Sequence, residues 1–157
     1  MGNRQKKVPG GAFNIPARKA VPPRAGNPPT PFIPIDNGGL IVRWSKFDYE
    51  GPWCLGQSTS DVIVDLMKRL RDIERMTLKD VFAPWSEIGK EYGPPSDLPN
   101  TAAGKRFIEL GLDDETKVSR LRITGERRLY GVRRDREFYP VFWDPHHLIW
   151  PSPKKNA

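Results

Sequence analysis

The constraint that narrows the fold most is an alternation of apolar and arginine residues near the C-terminus, from Val118 to Trp143. In Val118-Ser119-Arg120-Leu121-Arg122-Ile123, Leu121 and Ile123 share one face and Arg120 and Arg122 the other, the period-two pattern of a half-buried strand. Gly125-Glu126 can turn the chain, Arg127 to Val132 returns, Arg133 to Glu137 turns again, and Phe138 to Trp143 returns once more. These segments predict a three-stranded antiparallel meander. Pro140 has no N–H to give a ladder, so the last strand is expected to be irregular or at an edge on one side. Asp144-Pro145 ends it and leaves His146, His147 and Trp150 just past the sheet.

Upstream, helices dominate. Leu40 to Trp44, with Phe47 and Tyr49, reads as a strand closed by Gly51-Pro52, and a short extended piece is expected over Trp53 to Leu55. Ser58 with Asp61 suggests a capping-box-like start, and Val62, Ile63, Leu66, Leu70 and Ile73 then recur at helical spacing. The outer face of that helix, with Lys68, Arg69, Arg71 and Arg75 beside Asp65, Asp72 and Glu74, is read as solvated. Thr77 with Asp80 opens a short helix that Pro84 ends, Trp85 to Tyr92 adds a turn before Gly93-Pro94-Pro95, and Thr101 to Leu110 forms a helix stopped by Gly111. The fold class is therefore α+β: a strand, two or more helices, then the meander.

Residues 1–36 differ in kind. Eight prolines before position 36, in runs such as Asn27-Pro28-Pro29-Thr30-Pro31, deny both helix and ladder bonding and predict a disordered basic Pro-rich arm ahead of a single domain at 37–157. The net charge of +7 lies mostly there: residues 1–35 hold six Lys/Arg and no acid, whereas 36–157 hold 20 basic against 19 acidic residues. A solubilising tail, a non-specific nucleic-acid arm and a polyproline ligand are all compatible with the arm's composition. Within the domain, residues 117–136 carry eight basic residues against Glu126 and Asp135, so the charge is polarised toward the C-terminal third. No run of 18 apolar residues and no signal-type N-terminus occurs, which predicts a cytoplasmic protein without a membrane partner. The lone Cys54 reads as a small hydrophobe, and Gly104-Lys105 lacks the flanking residues of a phosphate-binding loop.

The last third also carries the chemistry. Arg128 and Tyr130 fall on one strand face and Arg127 on the other, and the two histidines end the strand that returns beside the middle one. A guanidinium fork grips two phosphate oxygens, and an imidazole exchanges protons near neutrality. Arg128 with a histidine therefore suits phosphodiester cleavage. Each residue has a plainer role open to it: Arg120 and Arg122 as the wet face of a strand, the histidines as strand-end caps, and Tyr139, Phe142, Trp143 and Trp150 as core.

The order of elements, the stretch Ser119-Arg120-Leu121-Arg122-Ile123-Thr124-Gly125-Glu126-Arg127-Arg128-Leu129-Tyr130, and the ending Phe142-Trp143-Asp144-Pro145-His146-His147 resemble the RelE/ParE-like (YoeB-type) bacterial toxin superfamily. The shape would span roughly 38–151, with the motifs confined to the last third; Pro140 and Trp150 depart from the pattern, and no Glu or Lys ahead of the meander falls on the family's catalytic acid or lysines. The resemblance implies a metal-free endoribonuclease toxin without cofactor, cleaving mRNA by 2′-hydroxyl attack, with RNA on the ribosome and an antitoxin protein as partners. It implies catalytic roles for Arg128 and His147, with His146 as the second imidazole. Substrate contacts fall to Arg120, Arg122, Arg127, Tyr130 and Trp150. The competing expectations are a non-catalytic nucleic-acid- or protein-binding module on the same scaffold, and a ParE-like gyrase blocker.

Overall fold

The computed structural model describes residues 38–153; the arm expected at 1–36 lies outside the described residues. Among the described residues are five strands and three α-helices: β1 (Ile41–Val42), α1 (Ser60–Glu74), α2 (Leu78–Phe82), β2 (Gly89–Glu91), α3 (Thr101–Glu109), β3 (Ser119–Thr124), β4 (Arg127–Arg134) and β5 (Glu137–Asp144). The domain is α+β. Its sheet runs β1-β5-β4-β3-β2, with β1 parallel to β5 and every other pair antiparallel. No helix among the described residues is long and apolar enough to cross a membrane.

Strand alternation builds two cores. Leu121, Leu129 and Trp143 are partners across three strands, and they pack with Leu66, Leu70 and Ile73 of α1. Tyr130 and Phe142, partners one residue on, pack instead with Ala103 and Phe107 of α3 and with Val118, Val132 and Ile149. Burying a large apolar side chain contributes about 1.5–3 kcal/mol, so both faces of the sheet are anchored by helices.

Local chemistry sets the element ends. Thr77 and Asp80 form a full capping box at the start of α2, Asn100 caps α3 by accepting from the Ala103 N–H at 3.2 Å, and Gly111 ends that helix at φ +73°. Pro140 lies opposite Gly131 at a register shift in the β4–β5 ladder. A β-carbon on Gly131 would sit 2.0 Å from the Tyr139 carbonyl oxygen, so only glycine lets the strands close there.

Four local expectations are corrected. The first strand is only two residues long, because β5 offers β1 its edge only at Glu137 and Phe138 and Trp44–Lys46 turn away as a 3₁₀ turn. Trp53 is linked to the sheet by one bond, accepting from the Trp143 N–H at 2.8 Å, and the chain turns again at Leu55–Gln57. Helix α1 is capped at Thr59, whose hydroxyl donates to Asp61, one residue later than the Ser58 start. The segment expected as a helical turn before Tyr92 contains β2, since Ile88 accepts from the Arg122 N–H at 2.7 Å and the Tyr92 N–H donates to Val118 at 2.8 Å. Cys54 is half-buried.

Candidate functional site

The cleft face of the sheet is built by alternation. Arg122 pairs with Arg128 across β3 and β4, Arg120 with Tyr130, and Lys90 of β2 with Arg120. Because cross-strand partners point the same way, three arginines and a lysine are gathered on one surface. They line a cleft of about 630 Å³ together with Tyr92, Glu87, His147, Trp150 and the Pro151–Pro153 segment.

Two of the arginines are nearly sealed. Arg128 is 7% exposed and Arg120 9%, and the Nε of each has no hydrogen-bond partner. Arg128 donates from a terminal nitrogen to the carbonyls of Gly125 and Arg127, the latter at 3.1 Å. Burial, then the charges of Arg120 and Arg122, push the Arg128 pKa down, yet a guanidinium keeps its proton in proteins. Arg122 is more open and pairs with Glu87 at 3.0 Å. Desolvated positive charge without a carboxylate on its free nitrogens is costly, and an anion entering the cleft relieves that cost.

His147 reaches the same cleft from the turn after β5. Asp144 is 1% exposed, and its carboxylate accepts the N–H groups of His146, Leu148 and Ile149 at 3.3, 3.0 and 2.8 Å. His147 takes φ +56° within that turn. Burial, and then the nearby Arg128 charge, lower its pKa from 6.5, so its imidazole is neutral at pH 7 and able to accept a proton. Trp150 stacks on Tyr92 with ring centroids 4.0 Å apart and planes 15° apart, and the Lys90 ammonium lies 5.5 Å from the Tyr92 centroid.

Arg120, Arg122, Arg128, His147 and Trp150 thus share one cleft, and three of the sequence candidates do not. Arg127 and His146 point to a second hollow of about 710 Å³ lined also by Thr59, Val62, Trp143 and Pro145. Arg127 pairs there with Asp65 of α1 at 3.5 Å. Period-two alternation is the reason for Arg127, which neighbours Arg128 within β4; the histidines lie past the end of β5, in the turn where His147 takes φ +56°. Tyr130 is the third correction. It is 0% exposed within the α3 core, and burial drives its pKa strongly upward, so no ring face is open to stack on a base. Lys90, Tyr92 and Glu87 were not among the sequence candidates; the pairing of β2 with β3 places Lys90 beside Arg120.

The assembled groups have the chemistry to hold an anion at buried guanidiniums and to exchange a proton with it through a neutral imidazole. No protein-family model, curated protein or solved structure matches this chain.

Proposed function

We propose that the domain is a metal-free endoribonuclease of RelE/ParE type that cuts mRNA by 2′-hydroxyl attack and is held in check by an antitoxin protein. The observation that carries this reading is the pair of buried guanidiniums with unpartnered Nε atoms beside the neutral imidazole of His147. The chain order of strand, helices and antiparallel strands supports it as well.

In the proposed reaction His147 takes the proton of the RNA 2′-hydroxyl, and the oxygen attacks the adjacent phosphorus. The bond to the 5′-oxygen breaks, leaving a 2′,3′-cyclic phosphate and a 5′-hydroxyl whose proton comes from solvent or from Lys90. Arg128 and Arg120 hold the non-bridging oxygens as charge builds on them, the type of interaction that commonly contributes most to such rates. Arg122 and Lys90 track the backbone, and Trp150 presents an aromatic surface to a base.

A second reading, a nucleic-acid-binding or protein-binding module without catalysis, is favoured by one observation: Glu91 is tied to Arg133 at 2.8 Å and Glu87 to Arg122, so neither cleft carboxylate is a free base.

Single-stranded RNA incubated with the purified chain separates the two. Cleavage should give cyclic phosphate ends, fall by on the order of 10²–10⁴-fold in His147→Ala, and survive there as binding. The midpoint of the acid limb of the rate should lie below pH 6.5, because the base form is lost only as pH falls through the lowered pKa of His147. Binding by wild type with no cleavage at any pH leaves the module.

A further inference from the structure

The turn that carries His147 is tied at both ends. Asp144 closes it from the end of β5 through three backbone N–H groups. From the other side, Asn100 at the α3 cap donates from its side-chain amide to the Leu148 carbonyl at 3.2 Å and from its N–H to the Ile149 carbonyl at 3.3 Å. Ile149 is fully buried. The residue between these anchors, His147, is held at φ +56°. A non-glycine residue in that region is strained and persists only where its surroundings fix it.

Asp144 faces Arg128 across the β4–β5 ladder, yet among the described residues it forms no salt bridge; its oxygens are taken up by the N–H groups of the turn. The guanidinium is thereby left for a ligand. A carboxylate is suited to this, since it can accept several N–H bonds at once where a neutral side chain accepts fewer.

We propose that Asp144 is the positioning residue of the site, holding the imidazole of His147 over the arginine cleft through the turn it closes. The catalytic half of this inference rests on the ribonuclease reading; the structural half does not. The groups acting on the imidazole come from every element around it: Arg128 of β4, Arg120 of β3, Asp144 of β5 and Glu126 of the β3–β4 turn.

The test uses the full chain as wild type, Asp144→Asn, His147→Ala and the double variant. A proton NMR titration follows the His147 ring in wild type and in Asp144→Asn. Asp144→Asn should lower the His147 pKa, because the carboxylate is gone and the two arginines remain. In RNA cleavage it should cut kcat by about 10–100-fold at unchanged KM, and by less than twofold when His147 is already alanine, the signature of a residue acting through its partner. If Asp144→Asn does not fold by circular dichroism, Asp144→Ser, which keeps one neutral acceptor, is read the same way.

An unmoved His147 titration, or an equal cost in the His147→Ala background, overturns the proposal. A wild-type chain that cuts no RNA removes the ribonuclease reading alone, and the titration still decides the role of Asp144.

Discussion

Replacing Arg128 by methionine should make the protein more stable while abolishing its function. An unpartnered Nε in a desolvated position costs about 1–3 kcal/mol. Repulsion from Arg120 and Arg122, taken at roughly 7 Å and an effective dielectric near 20, adds about 2 kcal/mol for each pair. Against this stand the two bonds from Arg128 to the Gly125 and Arg127 carbonyls, roughly 1.5 kcal/mol each. The balance favours methionine, of similar length and apolar, by about 2–4 kcal/mol, in line with buried charges replaced by hydrophobes elsewhere. For a domain of this size that raises the melting temperature by on the order of 10 °C. Calorimetry at low ionic strength measures it, since salt screens the repulsion. Inorganic phosphate completes the experiment: saturating wild type to about a hundred times its dissociation constant adds roughly 2.7 kcal/mol, and the variant should lose most of that gain. RNA cleavage should fall by about 10³-fold or more. A variant that melts below wild type, or one that phosphate still stabilises in full, refutes the argument that this guanidinium is kept for a ligand rather than for the fold.

The remaining predictions concern the scaffold. Gly131→Ala should cost about 3 kcal/mol, because its β-carbon would meet the Tyr139 carbonyl at 2.0 Å and the β4–β5 ladder must open; an unfolding free energy from urea titration within about 1 kcal/mol of wild type would contradict that contact. Arg106→Leu should cost about 3 kcal/mol by stranding Asp48, which is 3% exposed and holds Arg106 in two bonds of 2.7 and 2.8 Å. Its signature is in pH as well: the Arg106 bond lowers the Asp48 carboxyl below its ordinary 3.8, so the stability it contributes is present above 3.8 and lost as pH falls through the lowered value. Without Arg106 the acid-unfolding midpoint, followed by circular dichroism, should move to higher pH.

Much of the cleft was legible because period two leaves little freedom. Once Leu121 and Leu129 were assigned inward, Arg120, Arg122 and Arg128 had to share the opposite face, and the observed register has them do so. The same rule separates Arg127 from Arg128, and Arg127 lines the second hollow; the histidines lie beyond β5 in a turn, where strand alternation does not decide which of them reaches the cleft. Tyr130 obeys the alternation but lies farther along the strand, where α3 covers the sheet; only the position of Phe107 against Phe142, rings 4.7 Å apart, reveals that. Strand β2 was missed because Gly89-Lys90-Glu91 has no apolar residue to mark it. Its bonds to β3 stabilise an extended form that local propensity does not favour.

The register also explains how one sheet carries both a core and a charged site. Leu121, Leu129 and Trp143 form a row toward α1 while Arg122 and Arg128, each next to one of those leucines in the chain, are paired facing the cleft. Sliding any strand by one position would put leucines in water and a guanidinium under α1, at a cost of several kcal/mol for each misplaced charge. The apolar row therefore fixes the arginine row without any bond to it. The cleft can then be filled with mutually repelling charges, because the residues that determine their place are on the other face and gain nothing from relaxing them. This division predicts that changes on the α1 face alter the site only by unfolding it, whereas changes at Arg120, Arg128 or His147 alter ligand affinity and leave the fold intact.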